Sequence, residues 1–465
     1  MDQPNRKPQH LYHIISQQIL TGVYRAGDKL PSLRSLARQA GISKNSVVSA
    51  FEMLAAHGLV EPRPGSGFYV RALPENRPAQ PDAPARQERA MNIAWLLQTQ
   101  LAVAPGQLAV GDAFMPPEAM ESLRIDRHYP KIARSGIRSM TRYGDRLGYF
   151  ALRRLLARTL GHAGIGCEPD QILLTHGANG AMDLLLRHFV APGAAVLVDE
   201  PGYYPLIAKL QLAGARVIGI PRQPDGPCLQ TLERALAQWR PRLFFTQSVM
   251  QNPTGTCIGP DKARQLVALC ARHQATVVDN DSLGGLHDGP VTRLAEVDQL
   301  AGTVHIGSFS KTLSPTLRVG YVAAPLATIE ALAHIRTLTH ISSSEYCERT
   351  VEAIVDDPSY ERFLKQQRQD LADATRIAQQ ALAGLGAELF ADYSQSLFLW
   401  TRFHGIDNTL ELARALQIEG VVLAPGALFS VDASQVSPWT RCNPFAVTHP
   451  RFAAALQAVR NRTAR

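Results

Sequence analysis

The sequence predicts a small helical domain at the N-terminus and a larger α/β domain with a mostly parallel sheet after it. Residues 10–70 place glycine and proline stops between helix-length amphipathic segments. After residue 91, short apolar runs alternate with helical segments and polar loops, which is typical of a parallel sheet covered by helices. We therefore assign residues 1–72 to the first domain and 91–465 to the second, with a proline-rich linker at 73–90.

Composition and charge narrow the class of protein. The chain has 465 residues, of which 45% are apolar and 19% charged, enough for two or three domains with sizeable cores. The net charge is +8, and residues 1–75 hold nine Lys or Arg against five Asp or Glu, which permits nucleic-acid binding. The six cysteines form no C-x-x-C pair, and no apolar run approaches the roughly 20 residues of a membrane helix. We therefore expect no metal site, no membrane partner and a reduced cytoplasmic location.

Three helices and a hairpin are predicted in the N-terminal domain. The segment "LYHIISQQIL" has helical periodicity, and "PSLRSLARQAG" forms a short helix with Ser32 as its N-cap. A third helix, in "ISKNSVVSAFEMLAAHG", is expected to begin after Ser43. The segment "LVEPRPGSGFYV" predicts two short strands around a Pro/Gly tip. This order of elements is that of a winged helix-turn-helix.

The start of the third helix carries short and cationic side chains that are able to reach base edges and phosphates, as a recognition helix does. These side chains are Ser43, Lys44, Asn45 and Ser46. Arg34 on the preceding helix and Arg63 near the hairpin tip are placed to hold phosphates. The alternative is a small helical domain whose charges are only solvated.

This N-terminal segment resembles the winged-helix domain of the GntR family over its whole length. The matching motifs are "GDKLPSLRSLA", "GISKNSV", "LAAHGLV" and "GSGFYV". The resemblance implies DNA contacts from Arg34, from the helix start at Lys44, Asn45 and Ser46, and from the wing around Gly65 and Gly67. Because one such domain covers a single half-site, it also implies a homodimer on double-stranded DNA.

Four apolar runs in the larger domain are candidates for buried strands: "AAVLVDE", "RLFFTQS", "ATVVDND" and "TVHIGS". Each run leads into a polar loop. Ligands of open parallel sheets bind at the carboxyl ends of the strands, so these loops form the expected site. We assign about residues 130–325 to a large part that contains this sheet and about 326–465 to a smaller C-terminal α+β part.

The segment "GSFSKTLSPTLRVGY" places Lys311 close to Ser308, Ser310 and Arg318. A lysine amine forms a Schiff base with a carbonyl group. Hydroxyls and an arginine bind phosphate. A phosphate-bearing aldehyde such as pyridoxal 5′-phosphate (PLP) needs this combination of groups.

The other groups that PLP requires follow at successive strand ends. In "LLTHGANGAMDLLL" the backbone N–H groups of Ala178 and Asn179 open a helix and are available to phosphate. Tyr203, in "VDEPGYYP", offers a ring for stacking, and Asn252, in "QSVMQNPTGT", offers a donor to the phenolate oxygen. Asp279, in "TVVDND", is the candidate partner of the pyridine nitrogen. Each motif alone has an ordinary structural explanation, but five in this order are typical of fold type I PLP binding.

Residues 91–465 resemble the class I/II aminotransferase superfamily, and the whole chain resembles the MocR-type regulators of the GntR family. The resemblance implies that Lys311 is the lysine that binds PLP and that the other groups have the roles given above. It also implies that Tyr143, in "RYGDRLGYFALRR", reaches the phosphate from the partner subunit. Arg441, in "WTRCNPFA", would clamp a substrate carboxylate.

One position departs from the family pattern. Relatives usually carry a tyrosine two or three residues after the pyridine-binding aspartate, where this chain has Asp281 and Ser282. The departure argues against efficient transamination more than against PLP binding. Two functions therefore stay open: a transcriptional regulator that senses PLP or a PLP–amine adduct, and an active aminotransferase with an accessory DNA-binding domain. A protein that only stores PLP would leave the winged helix without a purpose.

Overall fold

The structure is a computed structural model in which the chain forms two compact units, Met1–Pro81 and Asp82–Arg465. It describes residues 8, 11–12, 14–16, 19, 24, 27–40, 42–56, 59–63, 66–71, 106–130, 132, 142–432 and 434–463. Each unit is described by itself below.

The first unit is a winged helix-turn-helix, which confirms the predicted fold. Its elements after the first helical segment are α1 (Leu33–Ala40), α2 (Lys44–Ala56), β1 (Val60–Arg63) and β2 (Gly67–Val70). The two strands pair antiparallel as a hairpin. Phe51 and Leu54 of α2 are fully buried in the small core, together with Leu11 and Ile15 of the first helix.

Both predicted N-caps of this unit are present. The Ser32 hydroxyl accepts a hydrogen bond from the Ser35 N–H at 3.2 Å, and the Ser43 hydroxyl accepts one from the Ser46 N–H at 3.1 Å. Each bond satisfies a backbone donor that the first turn of a helix leaves without a carbonyl partner. The capped start of α2 therefore holds its first residues in a fixed position.

The second unit is built on an eight-stranded sheet with the strand order β4-β11-β10-β9-β8-β5-β6-β7. The strands are β4 (Ile172–His176), β5 (Ala195–Glu200), β6 (Arg216–Gln223), β7 (Gly226–Pro227), β8 (Leu243–Thr246), β9 (Thr276–Asp281), β10 (Thr303–Ser308) and β11 (Val319–Ala323), and β3 (Leu108–Ala109) precedes them. The five strands from β10 to β6 pair in parallel, while β11 and β7 pair antiparallel with their neighbours. The prediction of a mostly parallel sheet is confirmed, and the four apolar runs are β5, β8, β9 and β10.

Helices cover both faces of the central strands. Those of this region are α3 (Pro117–Glu121), α4 (Phe150–His162), α5 (Gly177–Phe189), α6 (Tyr204–Leu212), α7 (Leu229–Trp239), α8 (Pro260–Arg272), α9 (Leu294–Asp298), α10 (Leu326–His340), α11 (Glu345–Val355) and α12 (Pro358–Gly384). Val278 of β9 packs in the cluster that contains Leu184 of α5. Val277 packs in the cluster that contains Leu266 of α8. Successive side chains of β9 thus face different helical layers, as the pleat of a strand requires.

The C-terminal region has a smaller antiparallel sheet in the order β12-β13-β16-β15. Its elements are β12 (Ala387–Leu389), β13 (Leu399–Phe403), α13 (Thr409–Ile418), β14 (Val421–Val422), β15 (Ala424–Pro425), β16 (Trp439–Cys442), α14 (Pro444–Val447) and α15 (Pro450–Thr463). β14 pairs with β3, which ties residues 108–109 to this region. Within the described residues, no helix is both long and apolar enough to cross a membrane.

Candidate functional site

A cavity of about 360 Å³ lies at the carboxyl ends of the central strands. It is lined by residues from the ends of β9 and β10, the first turn of α5, the loops after β5 and β8, and β16. Nine of the residues that the sequence predicts for the site line this cavity. They are Ala178, Asn179, Tyr203, Asn252, Ser308, Ser310, Lys311, Arg318 and Arg441.

Lys311 lies in the turn that follows β10, with its Nζ 3.3 Å from the centre of the Phe114 ring. Burial is the main cause that lowers the pKa of Lys311 to about 7. The positive charge of Arg441 and that of Arg318 act in the same direction, and the carboxylate of Asp112 opposes them. A large fraction of the amine is therefore unprotonated at neutral pH, and this is the form that attacks a carbonyl group.

The N-terminus of α5 forms one end of the cavity. The helix begins at Gly177, so the N–H groups of Ala178 and Asn179 lie in the first turn, where no helical carbonyl accepts them. Gly177 has φ +67°, and a Cβ at this position would lie 2.8 Å from Nη2 of Arg318. The close approach of the helix start to this guanidinium concentrates donors and positive charge, which suits an anion such as phosphate.

Hydroxyl groups complete this anion-binding end. The Ser310 N–H lies 3.3 Å from the Ser308 hydroxyl oxygen, and the two hydroxyls are 3.2 Å apart. Nη1 of Arg318 lies 3.5 Å from the Ser310 hydroxyl, and its Nη2 donates to the carbonyl of His176 at 3.2 Å. Among the described residues Arg318 forms no ion pair, so its charge is available to a ligand.

Arg441 on β16 also lines the cavity and is buried, with 3% of its surface exposed. Its guanidinium donates to Oδ1 of Asn252 at 2.8 Å and to the carbonyl of Gly111 at 2.6 Å. The rings of Phe398 and Phe429 each lie 5.1 Å from it. Within the described part of the chain only neutral oxygens accept its hydrogen bonds, and a buried cation of this kind is stabilised by an incoming anion.

Tyr203 supplies an aromatic wall of the cavity. It lies at the start of α6, which places it directly after the carboxyl end of β5. Burial raises the pKa of its phenol to about 12, so the ring carries no charge at neutral pH. A neutral aromatic face of this kind packs against a planar ring.

The structure does not bring two of the predicted residues to the cavity. Asp279 has no exposed surface and does not line the cavity. It lies on the face of β9 that is turned away from the cavity, where the neighbouring side chains form a buried cluster. Its carboxylate accepts hydrogen bonds from Ser248 and Leu294, so in this structure it meets these partners and not the cavity, where the sequence predicted it. Tyr143 is 77% exposed and lies outside the cavity of its own subunit.

Other residues line the cavity without having been predicted. Asn280 and Ser282 come from the end of β9 and the loop after it. Asp112 and Phe114 follow β3, and Asn443 next to β16 donates to Oδ1 of Asp112 at 2.7 Å. Because β9 is buried on both faces, its sequence shows no alternation that could have distinguished Asn280 from Asp279. No sequence signal connects residues 112–114 to the site, because that segment is placed by pairing with β14.

The predicted DNA-binding residues lie on the first unit, and most are exposed. Exposed residues of this set are Arg34, Ser43, Lys44, Asn45, Arg63 and Gly67, and Ser46 is partly exposed. Arg63 pairs with Glu61 at 2.8 Å and lies 4.3 Å from the centre of the Tyr69 ring, so part of its charge is already compensated. Gly65 lies outside the described residues.

The fold and the cavity define a protein in which a winged helix is joined to an aminotransferase-like domain. Residues 101–459 match the aminotransferase class I and II family, and the chain belongs to that family. Residues 7–70 match the gntR family of bacterial regulatory proteins. The chain therefore combines a domain of the gntR type with a domain of the aminotransferase class I and II type.

Curated relatives match this chain over most of their length. The uncharacterized HTH-type transcriptional regulator YdcR of Escherichia coli is 28% identical over 443 residues, which cover 94% of each chain. The probable rhizopine catabolism regulatory protein MocR of Rhizobium meliloti is 26% identical, over 81% of this chain and 78% of that one.

Solved structures share the fold of the larger unit. The α-aminoadipate aminotransferase LysN of Thermus thermophilus, complexed with N-(5′-phosphopyridoxyl)-L-leucine, has a TM-score of 0.71. It is 23% identical and is matched over 80% of this chain and 98% of its own. A kynurenine aminotransferase of Pyrococcus horikoshii also has a TM-score of 0.71, with 22% identity over 79% of this chain and 94% of that one.

Proposed function

We propose that this protein is a DNA-binding transcriptional regulator that responds to PLP, or to PLP joined to an amino compound. One observation carries the proposal: a single cavity gathers a lysine whose pKa is lowered to about 7, an anion-binding end and a buried arginine, in a chain that begins with a gntR-type winged helix. Two curated relatives that match most of this chain support the proposal by name: YdcR is an HTH-type transcriptional regulator, and MocR is a probable rhizopine catabolism regulatory protein.

The residues of the cavity fit PLP. When bound, PLP supplies an aldehyde that condenses with amines and a ring that withdraws electrons from them. The narrow approach between Gly177 and Arg318 supports a phosphate at the start of α5, because only a residue without Cβ leaves that space open. Lys311 would attach the aldehyde, Tyr203 would cover the ring, and Asn252 would donate to the phenolate oxygen.

Arg441 is the residue we assign to an amino-compound effector. Its guanidinium lies in the same cavity as Lys311, and a carboxylate would form a bidentate pair with it. An effector amine that took the place of Lys311 on the aldehyde would leave the Lys311 side chain as a free, buried amine, whose protonation the charge of Arg441 disfavours. The bound states of the cavity therefore differ in charge and contacts, which is what a ligand needs in order to shift a conformational equilibrium.

The test measures DNA binding with and without PLP on the wild type and on Lys311→Ala. We expect the wild-type footprint to change when PLP is added. Lys311→Ala keeps the winged helix, so it should bind DNA but should not show that change. A Lys311→Ala protein that responds to PLP as the wild type does would contradict the proposal.

An active aminotransferase with an accessory DNA-binding domain is the second candidate. The observation that favours it is that Lys311, Asn252 and Arg441 line one cavity, with Arg441 and Asn252 hydrogen-bonded at 2.8 Å. Steady-state turnover of amino-acid and keto-acid pairs separates the two candidates. The regulator proposal expects no turnover beyond that of free PLP.

A further inference from the structure

The two faces of β9 direct its last residues to different surroundings. Val277 packs with Phe244 of β8 on one face, and Val278 packs with Val304 of β10 on the other. Alternation along the strand continues this division, so Asp279 follows the face of Val277 and Asn280 the face of Val278. The face of Val278 is the one that α5 covers. At the end of the strand the same face borders the cavity, where Asn280 lies.

The Asp279 carboxylate is already engaged on its own face. Its Oδ1 accepts from the Ser248 N–H at 2.9 Å, and its Oδ2 accepts from the Ser248 hydroxyl at 2.7 Å and from the Leu294 N–H at 3.2 Å. The next carboxylate along the strand, Asp281, forms an ion pair with Arg293 at 2.5 Å. Neither acid lines the cavity, as judged from the part of the chain that the structure describes.

Asn280, in contrast, lines the cavity at the end of the strand. The Ser282 hydroxyl donates to its Oδ1 at 2.5 Å. This hydrogen bond occupies the amide oxygen and leaves the amide nitrogen, which can only donate, as the group to meet a ligand. Among the described residues the amide nitrogen has no partner.

Gln247 fixes the position of Asn280 relative to Asn252. Its side-chain nitrogen donates to the Asn280 carbonyl at 3.1 Å, and its side-chain oxygen accepts from the Asn252 N–H at 2.9 Å. Both asparagines are therefore tied to one glutamine at the floor of the cavity. In the proposed complex Asn252 meets the phenolate oxygen, so Asn280 is held close to the ring as well.

We propose that Asn280, oriented by Ser282, is the hydrogen-bond donor to the pyridine nitrogen of PLP, and that this nitrogen stays unprotonated in the bound cofactor. The inference rests on the proposed PLP binding and adds the form in which the cofactor is bound. An unprotonated pyridine nitrogen has a lone pair and accepts from an amide N–H, whereas a pyridinium N–H would face another donor. Three basic side chains, Lys311, Arg318 and Arg441, line the same cavity against the single carboxyl group of Asp112, and this excess of basic groups disfavours a further positive charge there.

The consequence is a site adapted to holding PLP and its amine adducts more than to turning them over. A ring without a protonated nitrogen withdraws electrons weakly, and proton removal from the bound amino compound is then slow. The positions two and three residues after Asn280 are Ser282 and Leu283, so neither supplies a phenol. This agrees with a sensor function for the cavity.

The experiment uses the full-length protein loaded with PLP that carries ¹⁵N in its ring. Reduction with borohydride and peptide mapping first establish whether PLP is attached to Lys311. The ¹⁵N chemical shift of the bound ring is then measured across the pH range in which the protein is stable. We expect the resonance to stay in the range of a neutral, hydrogen-bonded pyridine.

Two variants at neighbouring positions provide the comparison. Asn280→Asp introduces a carboxylate on the cavity face and should move the resonance to the pyridinium range. Asp279→Asn changes the charge on the opposite face and should leave the resonance where the wild type has it. Ser282→Ala, which frees the amide to rotate, should weaken PLP binding several-fold without protonating the ring.

The outcomes separate this inference from the proposed function. Attachment to Lys311 together with a pyridinium resonance in the wild type overturns the Asn280 inference and leaves PLP binding intact. A pyridinium signal that disappears in Asp279→Asn overturns it as well, because it returns the role to Asp279. Failure of the wild type to take up PLP overturns the proposed function and this inference together.

Discussion

At the scale of single residues, opposing charges around Lys311 set the chemistry of the cavity. Burial and Arg441 favour the neutral amine, whereas Asp112 favours the ammonium ion. Burial also raises the pKa of Asp112, with the charges of Arg441 and Lys311 acting against that effect. The protonation state of Lys311 thus depends on one side chain from near the beginning of the second unit's sequence and one from near its end.

The pH dependence of PLP capture tests this balance. Only the unprotonated amine reacts, so the rate of attachment should rise with pH and level off above about 7 rather than near the usual pKa of 10.5. Arg441→Gln removes a charge that lowers the pKa of Lys311 and should move the curve to higher pH. Asp112→Asn should move it to lower pH. Stopped-flow absorbance gives the rates, and equal midpoints in all three proteins would contradict this account.

At the scale of single elements, the start of α5 combines a backbone requirement with a binding surface. Gly177 has φ +67°, a conformation that costs an alanine about 1–2 kcal/mol, and its Cβ would crowd Arg318. Gly177→Ala should therefore weaken PLP binding and lower the melting temperature. Gly161→Ala is the matched control, because Gly161 lies in α4 with open space around it. That change should stabilise the helix by up to about 1 kcal/mol and leave PLP affinity unchanged. If both variants bind PLP equally well, the start of α5 does not bind the phosphate.

The strands also show how much of the fold and of the site could be predicted from the sequence. Apolar runs predicted β5, β8, β9 and β10, because buried parallel strands are continuously apolar. The same property hides which residues face the site, since Val277 and Val278 are both buried and give no alternation to read. The sequence therefore led to Asp279, whereas Asn280 faces the cavity. Asp112 was missed for another reason: the short pairing of β3 with β14 joins segments that are distant in the chain.

The recognition helix α2 is the second element with a testable role. Lys44 lies at its exposed start, next to the cap formed by Ser43. If Lys44 contacts a phosphate, Lys44→Ala should weaken binding to every DNA sequence and reduce the slope of log affinity against log salt by about 0.9 per subunit. Arg34→Ala should act in the same way. Lys365→Ala, which removes an exposed charge from α12 of the other unit, is the control, and the measurement is a gel-shift series against salt.

At the scale of the whole molecule, the proposed function requires two chains. A winged helix reads one half-site, so a dimer is needed for specific binding. Tyr143 is the side chain that we expect the second chain to contribute. It is 77% exposed in its own subunit and lies outside that subunit's cavity. The family resemblance assigns such a tyrosine to the phosphate of the neighbouring site. We therefore expect each cavity to be completed by the partner subunit.

Mixing two defective chains tests this expectation. Lys311→Ala cannot attach PLP, and Tyr143→Phe should lower PLP affinity roughly tenfold or more through the loss of one hydrogen bond to a charged group. After the two are mixed and allowed to exchange, random pairing restores a complete site in about one cavity of four, since each heterodimer has one site with both native residues. A titration with PLP should then show a fraction of wild-type affinity that neither protein has alone. Tyr129→Phe, at another exposed tyrosine, should keep full affinity by itself. If mixing recovers nothing while native mass spectrometry detects the heterodimer, Tyr143 does not reach the partner's cavity.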